Sequence, residues 1–153
     1  MNRLEIIATG PEFTGRGIRS FESVLEEIVK NAQKEIQIAS YTISPSAIHV
    51  LELLKNQAEK GVKVSLIVND TQSVDSTVKN FFSFIKERLF GVFSIYEFYP
   101  ATGRNLHAKV VVVDRNRAIL GSANLSWGGF ISNCELGIFI EGEIAWKLSL
   151  IHI

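Results

Sequence analysis

The sequence predicts an α/β fold, with a mixed, largely parallel β-sheet sandwiched between helices. In the first part of the chain, short apolar segments alternate with longer segments whose apolar residues recur every three or four positions. This alternation of strands and amphipathic helices is typical of a parallel sheet. Further on, the polar segment 114–117 separates two apolar segments closely enough for a hairpin, which makes the sheet mixed.

Helices are predicted where apolar residues recur at helical spacing between residues that favour helix ends. Ser44 and Pro45 suit the start of the second helix, and Gly61 suits its end. Asp75 or Ser76 suits the start of the third helix. The predicted helices span 18–32, 45–60, 75–89 and 143–150.

Strands are predicted where short apolar or alternating segments lie between turn-forming residues. The four valines of 110–113 are typical of a strand that is buried on both faces. The predicted strands span 4–8, 35–40, 62–68, 92–99, 106–113, 118–122 and 134–141. Because no internal repeat or linker interrupts this order, residues 1–153 are predicted to form a single domain.

Composition restricts the class of protein. Sixteen basic and sixteen acidic residues give a formal net charge of zero, so a polyanion would have to be bound by a local patch. Cys134 is the sole cysteine, which excludes an intrachain disulfide and fits a reducing compartment. The first residues lack the long apolar segment of a secretory signal, and no apolar run is long enough to span a bilayer. We therefore expect a cytoplasmic protein without membrane association.

Residues 107–124 carry groups that suit binding and cleavage of a phosphate ester. His107 and Lys109 are two positions apart, so on an extended strand their side chains point to the same face. The imidazole is able to attack phosphorus, and the ammonium neutralises charge on the non-bridging oxygens. Ser122 and Asn124, which follow Gly121, offer hydroxyl and carboxamide donors to the same oxygens. Taken separately, each pair also suits an ordinary protein surface or loop.

Two carboxylates accompany these groups. Asp114 is an odd number of positions from His107, so on a straight strand it lies on the opposite face. We expect it to cap the 115–117 turn or to pair with a nearby cation. Glu135 begins an apolar strand, where a buried carboxylate needs a partner. An imidazole would be such a partner, oriented by Glu135 and favoured as imidazolium; a solvated glutamate is the alternative. His49 and His152 are predicted to be surface or packing residues.

Together these residues resemble the HKD motif of the phospholipase D superfamily. The family pattern HxKxxxxD…GSxN…NxE is matched by His107, Lys109, Asp114, Gly121, Ser122, Asn124, Asn133 and Glu135. The resemblance covers essentially the whole chain and implies the phospholipase D/nuclease-like fold and phosphodiesterase activity. Its implied catalytic residues are His107, Lys109 and Glu135. Its implied phosphate-binding residues are Lys109, Ser122 and Asn124, and its structural residues are Asp114 and Gly121.

The resemblance also implies a partner. The family is known for using two HKD histidines, one to form a phosphohistidine and one to protonate the leaving oxygen. This sequence contains one motif, so it implies a homodimer with the two motifs facing each other across a twofold axis. Two lysines would then offset the phosphate charge, so no metal or cofactor is predicted. Short dimeric members with one motif are typically endonucleases, which implies a DNA or RNA substrate.

Two other functions remain open. A phospholipid phosphodiesterase or phosphatidyl transferase is slightly favoured by the phenylalanines between positions 81 and 98. However, lipid enzymes of this family usually carry two motifs in one chain. The third interpretation is a domain of a larger protein that binds nucleic acid without turnover, which the intact His107 and Lys109 disfavour.

Overall fold

An eight-stranded mixed sheet forms the centre of the computed structural model, which describes residues 1–99, 101–126 and 128–149. The strand order is β2-β1-β8-β7-β6-β3-β4-β5. The β1–β2, β3–β4 and β4–β5 pairings are parallel, and the other four are antiparallel. The strands are β1 (Arg3–Thr9), β2 (Arg19–Ser20), β3 (Glu35–Ser40), β4 (Lys63–Val68), β5 (Phe93–Glu97), β6 (Val110–Val113), β7 (Arg117–Gly121) and β8 (Glu135–Glu141).

Two of the described helices begin at side chains that satisfy their first backbone N–H groups. The Ser20 hydroxyl accepts from the Ser23 N–H at 3.1 Å, and the Asp75 carboxylate accepts from the Thr77 N–H at 2.8 Å. A 3₁₀ turn precedes the second helix, as Pro45 favours, and a π-helical turn precedes β8. These elements are α1 (Phe21–Lys30), the 3₁₀ turn (Pro45–Ala47), α2 (Ile48–Glu59), α3 (Ser76–Arg88), the π turn (Gly128–Ser132) and α4 (Glu143–Lys147).

Helices lie on both faces of the sheet, but unequally. The apolar sides of α1, α2 and α3 pack on one face and form the main core. On the other face, the short α4 and the loop around Leu106 cover a smaller core with Val110, Val112 and Ala118. Part of this second face is uncovered, and its exposed aliphatic side chains are Leu4, Ile6, Leu120, Leu136 and Ile138.

The predicted mixed α/β fold with flanking helices is confirmed, and its elements differ in detail. The sheet is more antiparallel than predicted, because β8 inserts between β1 and β7 and β6 pairs with β3. The strand predicted over 106–113 begins only at Val110. Residues before it leave the sheet because Leu106 turns into the smaller core and its N–H donates to Asn69 Oδ1 at 2.8 Å. The short β2 and the π turn were not predicted from the sequence.

Two predictions concern residues near the end of the chain. The last helix ends at Lys147, and its predicted end at Leu150 lies outside the described residues, as does His152. Within the described part of the chain, no helix combines the length and apolar character needed to cross a membrane.

Candidate active site

The sheet topology brings the motif residues to one edge. The parallel strands β3 and β4 end there, at Ser40 and Val68. Because β6 runs antiparallel to β3, its start at Val110 lies at the same edge. Strand β7 is antiparallel to β6, and β8 is antiparallel to β7. The end of β7, at Gly121, and the start of β8, at Glu135, therefore lie at the same edge of the sheet. Side chains separated by up to twenty-eight positions in the sequence, from 107 to 135, are thereby gathered at one edge of the sheet.

His107 and Lys109 lie side by side just before β6. Lys109 Nζ is 3.0 Å from His107 Nδ1 and donates to the His107 carbonyl oxygen at 2.7 Å. The Tyr41 ring, at the end of β3, lies against both groups, 4.8 Å from the imidazole centroid and 5.7 Å from Nζ. Partial burial lowers the pKa of Lys109, and the negative charge of Glu135 opposes that change. The imidazole itself is exposed and accessible to a substrate.

Glu135 is held by polar neighbours on both carboxylate oxygens. The Ser122 hydroxyl donates to Oε2, and Asn133 Nδ2 donates to Oε1 at 3.1 Å. The Leu136 N–H donates to Ser122 Oγ at 3.2 Å, which fixes the hydroxyl next to β8. The sequence left an imidazole partner and a solvated carboxylate as alternatives for Glu135; among the described residues, its hydrogen bonds go to Ser122 and Asn133. Glu135 reaches the histidine–lysine pair through its charge on Lys109.

Asn124 lies in the tight loop after β7. Its Oδ1 atom is buried and accepts no hydrogen bond from the described residues. The π turn closes on this loop so tightly that a Cβ atom on Gly129 would overlap the Asn124 carbonyl oxygen. Thr9 Oγ1 holds the turn by donating to the Gly129 carbonyl at 2.8 Å. A buried acceptor without a protein partner is available to a water molecule or to a ligand group.

The two glycines at the ends of β7 and β8 make room for an aromatic ring. Gly121 pairs with Gly137 across the strands, and the ring of Phe21 lies over both. A Cβ atom on Gly137 would lie 2.6 Å from Phe21 Cε2, and one on Gly121 would lie 2.7 Å from the Leu136 carbonyl oxygen. A side chain at position 121 would therefore push apart the strands that carry Ser122 and Glu135.

Asp114 lies at the other end of β6. Its carboxylate accepts from the N–H groups of Gln33, Lys34 and Glu35 at 2.9, 2.7 and 3.0 Å. Arg117 lies 3.4 Å away as an ion-pair partner. Burial opposes ionisation of this carboxyl, but the three backbone donors and Arg117 outweigh it and lower the pKa of Asp114. The pairing with a cation matches the sequence-based expectation, whereas the three backbone contacts were not foreseen.

Two clefts lie near the histidine–lysine pair, although neither His107 nor Lys109 is among their lining residues. One, of about 390 Å³, runs from Tyr41 to Asn69 and Asp75. The second, of about 400 Å³, shares Asn69 with the first and is lined by amide groups and by Tyr99, Arg104 and two carboxylates, Asp70 and Glu97. Sequence reasoning missed Tyr41 and Asn69 as site residues. The signal that could have found them is their position directly after parallel strands, where ligands bind in open α/β sheets.

Comparison with known proteins identifies the family. Residues 25–149 match the family model described as the cardiolipin synthase, phospholipase D-like domain. The DISARM protein DrmC of Bacillus paralicheniformis is 31% identical over 92% of this chain, and this chain spans 58% of DrmC. The probable cardiolipin synthase YwiE of Bacillus subtilis is 29% identical over 97% of this chain, which spans 28% of YwiE. The chain thus corresponds to only part of these curated relatives.

A solved structure supports the same fold. The phospholipase D family member Nuc from Salmonella typhimurium superimposes with a TM-score of 0.76 over 99% of this chain and 91% of its own, at 16% identity. At that identity the likeness concerns the fold alone. The match of the family model, which covers most of the chain, together with this shared fold, leads to one conclusion: the chain belongs to the phospholipase D-like domain family.

Proposed function

We propose that this chain is a metal-independent phosphodiesterase, a nuclease that cleaves DNA or RNA through a phosphohistidine at the interface of a homodimer. The observation that carries the proposal is the contact of Lys109 with His107 at the sheet edge where the Ser122–Glu135 pair also lies. An exposed nucleophile beside a fixed cation is the minimum equipment for attack on a phosphate diester.

The chemistry requires two imidazoles with different protonation. One His107 attacks phosphorus with a ring nitrogen lone pair, a P–N bond forms and the bond to the leaving oxygen breaks. The protonated His107 of the second copy gives its proton to that oxygen. The same imidazole, now neutral, takes a proton from water, the water oxygen attacks phosphorus, and the P–N bond breaks. Both histidines return to their starting states.

In the proposed reaction, Lys109 stabilises the transition state. In the free protein its ammonium rests on the His107 ring and carbonyl. A phosphate is a stronger acceptor than a neutral ring, because the hydrogen bond is then between opposite charges. Substrate binding would therefore draw Lys109 onto a non-bridging oxygen and release the ring nitrogen for attack. Two copies of Lys109 would offset the charge that a metal ion offsets in other phosphodiesterases.

The second cleft favours a nucleic acid as substrate. Its lining contains Tyr99, Arg104 and the amide side chains of Asn69, Gln72 and Asn105. The carboxylates of Asp70 and Glu97 line it as well, so the cleft suits a base and not a phosphate. Bases stack on aromatic rings and arginine planes, and amides hydrogen-bond to base edges. Leu106, next to His107, is tied to this cleft through Asn69. A strand whose phosphate lies at His107 would therefore have a place for a neighbouring base.

The uncovered sheet face supports a second copy as the partner. Ile6, Ile138 and Leu120 lie opposite one another across β1, β8 and β7, and all three are exposed. Leu136 continues this patch to Ser122, at the border of the candidate site. Contiguous exposed aliphatic side chains are typical of protein interfaces. A copy of the chain covering this patch would lie next to the site that needs a second histidine.

The same patch also favours a second candidate function, cleavage or transfer at a phospholipid. The chain resembles part of a probable cardiolipin synthase, and an aliphatic surface beside the site suits acyl chains. The candidate reaction at phosphorus is the same, and only the substrate differs.

A substrate panel in excess chelator tests the proposed activity. We expect release of labelled fragments from single- or double-stranded DNA or RNA, with turnover unchanged after chelation. The intermediate would appear as acid-labile phosphate on His107 and disappear in His107→Gln. Release of headgroup from phosphatidylcholine vesicles with intact nucleic acid would instead support the lipid function. Loss of all turnover on chelation would contradict the mechanism.

Mixing wild-type chain with His107→Ala tests the shared site. If each site needs both histidines, a mixed dimer is inactive, and activity falls as the square of the wild-type fraction at constant total chain. A linear decrease would mean that each chain carries a complete site. Sedimentation of Ile138→Asp tests the interface: we expect a monomer, whereas Phe90→Asp, at an exposed aromatic outside the patch, keeps the dimer.

A further inference from the structure

We propose that Glu22, Glu26 and His49 form a site for a divalent transition metal of the Zn²⁺ class, which joins α1 to α2. The ligand atoms of these three side chains all lie within 4.8 Å of one another. They are half-buried on the helical side of the sheet, and none belongs to the matched motif. The site is therefore additional to the proposed catalytic edge, where no metal takes part.

Helix geometry places the two carboxylates together. Glu22 and Glu26 are four residues apart on α1, so their side chains lie on one face of the helix. His49 is in the first turn of α2, which packs against α1. Histidine nitrogen and carboxylate oxygen are both ligands of Zn²⁺, and three protein ligands leave the fourth position to a water molecule. In such a tetrahedron the ligand atoms lie about 3.3 Å apart, so small side-chain rotations would close the site around an ion.

The orientation of His49 is a second, independent observation. Its Nδ1 atom lies 3.3 Å from the Ser46 carbonyl oxygen, which fits donation of the Nδ1–H. A ring that donates from Nδ1 keeps its lone pair on Nε2, and metal-bound histidines are commonly held in this way by a backbone carbonyl. The Nε2 atom has almost no accessible surface and lies 3.0 Å from Glu22 Oε1, although the His49 side chain as a whole is 40% exposed. With the proton on Nδ1, the Nε2 lone pair faces a carboxylate oxygen, and a cation between these two atoms would remove their repulsion.

Lys30 competes with the ion. Its Nζ lies 2.6 Å from Glu26 Oε2 and partly neutralises the cluster. An incoming divalent cation must share or displace this ammonium. Removal of the Lys30 charge should consequently strengthen metal binding, whereas it would weaken a cluster held together only by ion pairs.

A metal here would stabilise the fold behind the catalytic edge. The His49 ring lies edge-on to Phe130 of the π turn, at 5.7 Å. Phe21, next to Glu22, packs on Gly121 and Gly137. The site thus connects α1 and α2 to the segments that carry Asn124 and Ser122. We expect the bound ion to raise the melting temperature by about 5–10 °C at a hundredfold excess over its Kd, without changing kcat.

Calorimetric titration of the chelator-treated full chain with Zn²⁺ tests the proposal. We expect one site per chain, weakened at least tenfold in His49→Gln and in Glu22→Gln and strengthened in Lys30→Gln. Glu27→Gln, on α1 but outside the cluster, is the matched control and should bind as the wild type does. Circular dichroism confirms that each variant is folded, and if His49→Gln does not fold, Glu22→Gln and Lys30→Gln decide the outcome.

The ring nitrogen signals of the three histidines locate the ion. In ¹⁵N spectra, Zn²⁺ should shift the His49 signals and leave those of His107 in place. Unchanged affinity in the folded His49→Gln and Glu22→Gln variants, or shifts confined to His107 or His152, would overturn the assignment. Absence of binding at micromolar Zn²⁺ in both wild type and Lys30→Gln would overturn it as well.

Discussion

The residues just before and just after strand β6 belong to the same motif but have different surroundings. At its start, His107 is exposed and contacts Lys109 and Tyr41. At its end, Asp114 is largely buried and accepts hydrogen bonds from three backbone N–H groups. Five residue steps separate Lys109 from Asp114, which is roughly 16 Å along an extended strand. The two ends cannot contact one phosphate.

Within this single motif, the residues before β6 are therefore the candidates for chemistry, and Asp114 after β6 has a structural role. The Asp114 carboxylate ties the loop before β3 to the hairpin after β6, and so fixes the position of two central strands. The His107 end has groups whose hydrogen-bonding capacity is left for a ligand. Substitution of His107 should accordingly lower activity, and substitution of Asp114 should lower stability.

The largest expected effect is on turnover in His107→Ala. Loss of the nucleophile should lower kcat at least about 10³-fold, because without the imidazole no P–N bond forms at this position. The side chain is exposed, so the free energy of unfolding should change by less than about 0.5 kcal/mol. Single-turnover cleavage and urea denaturation measure the two quantities. Near-normal turnover in a folded variant would show that another group attacks phosphorus.

For Asp114→Ala we expect a loss of stability with little change in turnover. Removing the carboxylate takes the charged acceptor from three backbone N–H groups, one of which belongs to the half-buried Glu35. This should cost about 2–3 kcal/mol of unfolding free energy. Urea denaturation at neutral pH measures this loss. Turnover per folded molecule should stay within a few-fold of wild type, and a loss comparable to that of His107→Ala would give Asp114 a chemical role.

The pH dependence of that stability loss provides a control. The pKa of Asp114 is lowered in the folded protein, so its contribution is complete above the unfolded value of 3.8. It is lost as the pH falls through the lower, folded value. The stability difference between wild type and Asp114→Ala should therefore shrink below pH 3.8. A difference that is constant down to pH 2 would assign the effect to packing.

Sequence patterns predicted most of this structure where the information is local. Helical periodicity and capping residues predicted α1, α2 and α3 to within a few positions, and the valine run predicted β6. The start of β6 was missed because the contact that removes Leu106 from the sheet comes from Asn69, 37 positions away. The backbone partners of Asp114 lie about 80 positions away and were missed for the same reason.

For the candidate site, the sequence supplied the residue types but not their pairing. The sequence allowed an imidazole or solvent around Glu135, and neither alternative named Ser122 and Asn133, which donate to its oxygens. The choice depends on how β7 and β8 align, since Gly121 pairs with Gly137 and this places Ser122 next to Leu136. Strand register is set by the whole sheet, so no short pattern contains it.

The smallest expected effect concerns the charge that Glu135 places on Lys109. Burial lowers the pKa of Lys109, and the Glu135 carboxylate raises it again. Turnover that needs a charged Lys109 should decline at alkaline pH, below the ordinary lysine value of 10.5. In Glu135→Gln the supporting charge is gone, so the alkaline limb of the kcat/KM profile should move to still lower pH. The control is Glu12→Gln, which removes a carboxylate near Cys134 that has no part in the Lys109 shift.

A shift of the alkaline limb of the kcat/KM profile is distinguishable from a general decrease of kcat/KM. Glu135→Gln also weakens the hydrogen bonds of Ser122 and Asn133, and this lowers kcat/KM at every pH without moving the limb. A limb that stays in place while the whole profile falls would mean that Glu135 acts through Ser122 alone. A limb that moves, with Glu12→Gln unchanged, would connect the two halves of the candidate site electrostatically, since Glu135 and Lys109 are brought together only by the fold.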